Sequence, residues 1–340
     1  MPPLAAVVGK ERTGEAIAAL RSEGVYDDTR RVRAGAGDTN ELPVTAPPAE
    51  TDVRAVIEQS DPEHRVTGLD DLLRERGWSD AEIERAPGSW AVVGDVVLVR
   101  FPGDCPRRGE VGRALLDLQG ADTVLARRGI EGEHREPDVE VVAGSGRTET
   151  VHTEHGTRYA LDLAEVMFSP GNKAERARMG EVATEGERVL DMFAGIGYFA
   201  LPMARAGAGV TAIERNPAAF RYLTENAVLN GVEDRFRPIR ADCRDVVGWA
   251  ADGLDVAADR VVMGHYDAHE YLDAALAALE PGGVLHMHEA TPEALLPERP
   301  VERLRAAAAE AGRTVEGLEH RRVKTHSEGV VHAVVDARIG

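Results

Sequence analysis

The sequence predicts an α/β chain. Its main part is a doubly wound sheet, mostly parallel with an antiparallel last strand, preceded by a small N-terminal domain and an α+β middle domain. Three observations carry this. From about residue 166 onward, strand-like apolar runs alternate with segments of helical spacing. A glycine-rich turn joins the first of these runs to its helix. The closing stretches Thr314–Glu319 and Val330–Val335 read as paired antiparallel strands.

The first run, Val189-Leu190-Asp191, is a buried strand, and Met192-Phe193-Ala194-Gly195-Ile196-Gly197 turns out of it into a helix. Gly195 and Gly197 let the backbone approach a ligand closely, and the following helix start offers unpaired N–H groups. Asp191 is placed to orient that loop. A second run, Val210-Thr211-Ala212-Ile213, ends in Glu214-Arg215-Asn216-Pro217. An acid at the second strand tip can accept from both hydroxyls of a ribose. Asn216 then caps, and Pro217 opens, a helix over Ala218–Leu229. The third run, Phe236–Arg240, ends in Ala241-Asp242-Cys243, where the Asp242 side chain and the Cys243 backbone can reach an adenine edge. A further helix is expected over Ala268–Leu279. Three successive strand tips with polar ligands define an adenosine-binding crevice. Ala200 stands where a dinucleotide fingerprint prefers a third glycine, so the glycines alone do not choose the ligand.

With 340 residues the chain is long enough for several cores. Boundaries are expected at 1–48, 53–165 and 166–340, with Thr45-Ala46-Pro47-Pro48-Ala49-Glu50 as a linker. The balance of 40 basic and 59 acidic side chains gives −19, and only three of the basic ones are lysine. Such a surface suits a halophilic, salt-rich setting, where hydrated carboxylates maintain solubility. No apolar run approaches the roughly 18 residues of a membrane span and no signal segment opens the chain, so a cytoplasmic, membrane-free protein is expected. Cys105 and Cys243 lie far apart, which predicts no metal site. RNA binding is compatible with this acidity because charge is unevenly distributed. Residues 1–48 carry six basic and seven acidic groups, with Arg30, Arg31 and Arg33 clustered; residues 299–326 carry seven basic and four acidic, including Arg321, Arg322 and Lys324. At molar salt the Debye length is about 3 Å, so any such contact must be short-ranged. Trp78, Trp90 and Trp249 lack a base-stacking pattern and are expected in cores.

Glu165-Val166-Met167-Phe168-Ser169-Pro170-Gly171-Asn172-Lys173-Ala174-Glu175-Arg176, followed by the glycine turn, Glu214-Arg215-Asn216-Pro217 and Ala258-Asp259-Arg260-Val261-Val262-Met263, resembles a family of S-adenosylmethionine-dependent transferases, which implies a class I methyltransferase-like doubly wound sheet. Its members modify the guanosine at position 37, beside the tRNA anticodon. One branch methylates N1 of that guanosine. The other moves the 3-amino-3-carboxypropyl group of S-adenosylmethionine onto the tricyclic wyosine precursor. The methylating branch usually continues Arg-Leu after Phe-Ser-Pro and has an Asn-Leu-Pro-type fourth strand tip. This chain has Gly171-Asn172 and Met263-Gly264-His265-Tyr266, similar to the aminocarboxypropyl branch, as are His286-Met287-His288-Glu289 and Lys324-Thr325-His326.

The resemblance is strongest over residues 165–338. It implies S-adenosylmethionine as co-substrate and the tRNA(Phe) anticodon loop as partner of a monomer. The implied reaction is aminocarboxypropyl transfer to 4-demethylwyosine, with release of methylthioadenosine. Ser169 and Arg176 are expected on the methionine or adenosine part of the donor, Arg176 as a bidentate grip on a carboxylate. Asp191, Gly195, Gly197, Glu214, Asp242 and Cys243 complete the expected donor site. No catalytic residue is singled out; His265 and Glu289 are candidates, and His286 and His288 are expected to make structural hydrogen bonds. Guanosine N1-methylation, a non-catalytic tRNA-binding role and small-molecule methylation are the other readings at this point.

Overall fold

The computed structural model describes residues 2–63, 65, 68–132, 136–248 and 256–340. The chain clusters into two compact units, Met1–Ala86 and Pro87–Gly340. In the first unit, β1 (Leu4–Gly9), α1 (Thr13–Ser22), β2 (Arg33–Ala34), β3 (Thr39–Val44) and β4 (Ala55–Glu58) form an antiparallel sheet in the order β2-β3-β1-β4. Ala16 and Leu20, four residues apart on α1, pack against Ala6, Val8, Leu42 and Val44 of the sheet. Two short helices follow, α2 (Leu69–Glu75) and α3 (Asp80–Ile83). The expected linker at residues 45–50 thus runs inside a sheet, because β4 beyond it pairs with β1. Arg30, expected in an exposed basic cluster, is buried: it bonds Asp27 at 2.7 Å and the carbonyls of Leu4 and Val44 at 2.7 and 2.9 Å.

The second unit opens with β5 (Trp90–Val93), β6 (Val96–Val99), α4 (Arg108–Gln119), β7 (Thr123–Glu131) and β8 (Glu136–Gly144), a four-stranded sheet with α4 against it. A hairpin follows, β9 (Glu149–Glu154) and β10 (Thr157–Asp162). Tyr159 and Leu161, on one face of β10 by the period of two, share a core cluster with Val93, Val96 and Leu98 and with Met179, Val189 and Leu201 further on. This common core is why no boundary of the compact units falls at 165. Trp78 is buried and Trp90 half-buried; Trp249 lies outside the described residues.

The remaining elements are α5 (Lys173–Val182), β11 (Arg188–Asp191), α6 (Ala200–Arg205), β12 (Gly209–Ile213), α7 (Pro217–Leu229), β13 (Phe236–Ile239), α8 (Cys243–Gly248), β14 (Ala258–Met263), α9 (Leu272–Ala278), β15 (Leu279–Pro292), α10 (Glu298–Glu310), β16 (Val315–Ser327) and β17 (Val330–Ile339). They build a seven-stranded sheet in the order β13-β12-β11-β14-β15-β17-β16, parallel except for β17, which runs antiparallel to both neighbours. The doubly wound sheet with an antiparallel last strand is as expected. Both faces are covered: Val189 and Val262 point into one core, their neighbours Leu190 and Val261 into the other. Parallel strands buried on both sides read as continuous apolar runs, which is how they appear in the sequence. Asn216 caps α7 by accepting from the Ala218 and Ala219 amides, with Pro217 in the first turn, as predicted. β16, at the sheet edge, exposes His320, Arg322 and His326 to solvent, and charged side chains on an edge strand discourage further pairing.

Asn226 on α7 joins this sheet region to the hairpin. Its amide donates to the carbonyls of Ala160 (3.0 Å) and Ile196 (3.1 Å), and its oxygen accepts from the Ala160 amide (2.7 Å), with the Asn226 side chain itself fully buried. Asn226→Ala would orphan these buried backbone groups and should cost ~2–3 kcal/mol, measured by denaturant unfolding.

Candidate active site

A cavity of about 510 Å³ opens at the carboxyl ends of β11, β12 and β14, where an open α/β sheet places its ligands. Two strands from outside the parallel core close it: β16 contributes Lys324 and β17 contributes His332. The segment Ser169–Asn172, which leads into α5, forms another wall.

The turn after β11 depends on its glycines. Gly195 and Gly197 have φ of +56° and +102°, and a Cβ at either would collide with the Tyr198 ring or with Leu201. The Gly195 amide donates to Glu214 Oε2 at 2.8 Å, and the Asn216 amide donates to Glu214 Oε1 at 2.7 Å. Glu214 therefore bridges the two strand tips and still faces the cavity. Burial raises its pKa above the ordinary carboxylate range. A carboxylate so held retains lone pairs for two ribose hydroxyls, and the close-packed glycine turn leaves room for a ligand beside it. These residues fit an adenosine-containing ligand.

Asp191 lies behind the loop and does not line the cavity. Oδ1 accepts from the Phe193 amide at 3.2 Å, while Oδ2 is buried without a partner. Burial, with the nearby Glu214 charge adding to it, pushes its pKa up to about 7.

The structure reassigns three of the expected groups. Arg176 is almost fully buried, and its Nε and one terminal nitrogen bond both Glu154 oxygens at 2.6 and 2.9 Å. Its other terminal nitrogen holds the Ser169 carbonyl at 3.0 Å. Burial alone would raise Glu154; the His152 and Arg176 bonds instead hold it down at about 2. The guanidinium is thus committed to shaping the Ser169 wall and not free to grip a ligand carboxylate. Asp242 lines the cavity, but both its oxygens are held by Arg244, at 2.9 and 2.8 Å, which keeps its pKa low. Glu289 is buried away from the cavity, with Oε1 facing Arg299 and Arg303 on α10 at 2.9–3.0 Å. The helix brings two cations that its spacing from residue 289 conceals in the sequence.

His265 does line the cavity, its ring stacked 5.1 Å from Phe193 and its Nδ1 accepting from the Asp267 amide at 3.1 Å. Cys243 also lines it; burial pushes its thiol up to about 12, so it stays protonated. His286 is structural, as expected: it bonds Asp336 at 2.6 Å and Arg260 at 2.5 Å.

The sequence names several cavity groups without showing what each one meets. Ser169 Oγ accepts from Lys324 Nζ at 2.6 Å, a bond joining positions 155 residues apart. His288 Nδ1 and His332 Nε2 are 2.9 Å apart, and burial pushes both rings down to about 3, so both are neutral. Tyr266 meets His326 and His332 edge-on at 4.5 and 5.0 Å. The one available signal was composition: Lys324 is a lysine in a chain that has otherwise almost replaced lysine with arginine. Arg321 and Arg322, expected as a tRNA-facing patch, are paired internally, Arg321 with Glu175 and Asp336, Arg322 with Glu293.

Two outcomes follow. The raised pKa of Asp191 stabilises the fold below its unfolded value near 4, and that stability is lost as pH rises through about 7. Asp191→Asn should therefore gain on the wild type, by on the order of 2 kcal/mol, between pH 5 and pH 8 in thermal melts of the unliganded protein. In calorimetric titrations with methylthioadenosine, Glu214→Ala should weaken binding about tenfold or more.

The TRM5/TYW2 methyltransferase domain model matches residues 150–316, and the TYW2 N-terminal domain model matches residues 69–148. The tRNA(Phe) (4-demethylwyosine(37)-C(7)) aminocarboxypropyltransferase of Pyrococcus horikoshii is 38% identical over 281 residues, 81% of this chain and 99% of the relative. The solved structure of P. horikoshii TYW2 in complex with MeSAdo superposes with a TM-score of 0.69 at 36% identity, covering 80% of this chain and 97% of that one. Trm5b from Pyrococcus abyssi, a tRNA (guanine(37)-N(1))-methyltransferase, superposes with a TM-score of 0.78 at 32% identity over 99% of both chains. This chain belongs to the TRM5/TYW2 family.

Proposed function

We propose that this chain is an S-adenosylmethionine-dependent tRNA aminocarboxypropyltransferase that acts on the 4-demethylwyosine base at position 37 of tRNA(Phe). The observation that carries this reading within the family is Gly264, at the fourth strand tip. It has no side chain, and a Cβ there would lie 2.8 Å from Phe199 Cε2. The amide that the methylating branch is expected to use for its base has no room at this position.

S-adenosylmethionine supplies an activated carbon next to its sulfonium. The base C7 bonds to the γ-carbon of the arm as the carbon–sulfur bond breaks. Methylthioadenosine leaves with the sulfur electron pair, and C7 gives up its proton. Glu214 holds the ribose, the Gly195–Gly197 turn seats the adenosine, and the walls fix the angle of approach, since transfer of this kind depends mainly on positioning. His265, in the cavity wall, is the candidate to receive the proton; Glu289 is not, being turned toward two arginines.

The first unit serves in this reading as a tRNA-docking module. With β4, α2 and α3 part of the same compact unit, that module is read as reaching Ala86 rather than ending at residue 48. With Arg30 buried, exposed Arg31 and half-exposed Arg33 are read as the basic groups of that cluster that face RNA. The target base must leave the loop stack to reach the cavity, which is cheapest in a single-stranded loop. The acidic surface is read as an adaptation to salt, so assays belong in high salt.

Guanosine N1-methylation is the second reading, supported by the likeness to Trm5b over both full chains. Purified protein, S-adenosylmethionine and either an unmodified or a precursor-bearing tRNA decide between them. Methylthioadenosine by mass spectrometry, formed only with the precursor tRNA, is the expected outcome. S-adenosylhomocysteine formed with the guanosine tRNA would overturn it.

A further inference from the structure

The loop after β14, Gly264–Asp267, brings His265 and Tyr266 to the cavity, and the groups that hold it in place lie outside that cavity. β14 pairs with β15 as far as Met263 opposite Met287, while β15 runs on to Pro292 with β17 along its other side. The loop folds back along this overhang. The Ala290 amide donates to the Tyr266 carbonyl at 3.1 Å, and Asp267 forms an isolated antiparallel bridge with Glu289. Asp267 is also the residue whose amide donates to His265 Nδ1, at 3.1 Å. The dipeptide Glu289-Ala290 therefore sets where the His265 ring stands.

α10 grips the same dipeptide. Arg299 donates from Nε to Glu289 Oε1 at 3.0 Å and from a terminal nitrogen to the Ala290 carbonyl at 3.0 Å. Arg303, one helical turn further on, donates to the same Oε1 at 2.9 Å. Val301 and Leu304 of α10 share a core with Ala268 and Leu272, which follow the loop. As a device for stability the ion pair is poorly made. Glu289 is 1% exposed with Oε2 buried and unpartnered, whereas its two cations are 28 and 35% exposed. A buried carboxylate facing part-solvated partners stabilises a fold no better than a well-packed apolar side chain. What the arrangement does provide is a fixed relation between helix, strand overhang and loop.

We propose that Glu289, held by Arg299 and Arg303, is a positioning residue for the acceptor base: it clamps the Gly264–Asp267 loop, and with it His265 and Tyr266, in the place that transfer requires. The role in transfer rests on the functional reading above; the clamp itself does not. Reaction needs the two carbons about 3–3.5 Å apart and aligned, so a displaced loop lowers the rate without weakening the donor, which is bound at the Glu214 side. Glu289 thus acts on the reaction without touching the cavity.

The test compares the full-length wild type with Glu289→Gln, Arg299→Met, Arg299→Lys and Glu293→Gln, the last removing the exposed ion pair with Arg322 just beyond β15. In Glu289→Gln and Arg299→Met, kcat for methylthioadenosine formation on precursor tRNA should fall by about tenfold or more. Calorimetric affinity for methylthioadenosine and KM for S-adenosylmethionine should stay at wild-type values, which also shows that the variants are folded. The His265 signal in NMR spectra of histidine-labelled protein, assigned through His265→Asn, should shift in both. Arg299→Lys should recover part of kcat, and Glu293→Gln should behave as the wild type. Either a wild-type kcat or an unmoved His265 signal in Glu289→Gln overturns the proposal. So does a loss of donor affinity in step with kcat, which would make the ion pair a support of the whole domain. If the wild type forms no methylthioadenosine with the precursor tRNA, the functional reading fails, and the His265 signal alone then decides whether the clamp exists.

Discussion

Glu175 and Arg176 are adjacent on α5, oppositely charged and both buried, and each must be neutralised by a different part of the chain. Arg176 is answered by Glu154 of the β9–β10 hairpin and Glu175 by Arg321 of β16. Removing one partner of such a pair leaves an uncompensated buried charge, at a cost of about 3–5 kcal/mol. The two requirements together lock α5 between the hairpin and the last strands. The segment Ser169–Asn172, which leads directly into α5, is fixed as a consequence, and so is the cavity wall that it forms.

The network extends from there. Asp336 on β17 accepts from Arg178 of α5 at 2.7 Å and from Arg321 at 2.5 Å, and bonds His286 of β15 at 2.6 Å. His286 and Arg321 hold the Asp336 pKa far below its ordinary value even though burial acts to raise it. Arg260 of β14 links His286 to Glu187. These charges sit where β14, β15, β17 and α5 meet, so the antiparallel end of the sheet is tied to the wall helix by ion pairs as well as by apolar packing. Lys324 enters the cavity from this same antiparallel end.

The two lips of the crevice are built differently. At the glycine turn the geometry is local: two left-handed glycines and one glutamate that bridges neighbouring strand tips. The opposite wall is assembled from segments far apart in sequence, Ser169–Asn172, Lys324 and His332. The first is a device many chemistries can share. Around the second, Gly171 and Gly264 leave space by lacking side chains: a Cβ at either would crowd Lys324 or Phe199.

The sequence by itself determined the sheet, its antiparallel last strand, the glycine turn and the cavity-facing Glu214. Each of these is written in short-range pattern: apolar runs of strand length, glycines at left-handed positions, an acid at a strand tip, and Asn-Pro opening α7. It could not say which charged groups were available. Arg176, Asp242 and Glu289 each look free in one dimension, and in the structure each meets its counter-charge: Glu154, Arg244, and the pair Arg299 and Arg303. Glu154 lies 22 positions from Arg176, and Lys324 lies 155 from Ser169. Whether a buried charge serves the fold or the ligand depends on which opposite charge the tertiary structure brings within a few ångströms. Coulomb energy at that range in a low-dielectric interior outweighs anything a local motif encodes, and only the folded chain decides it.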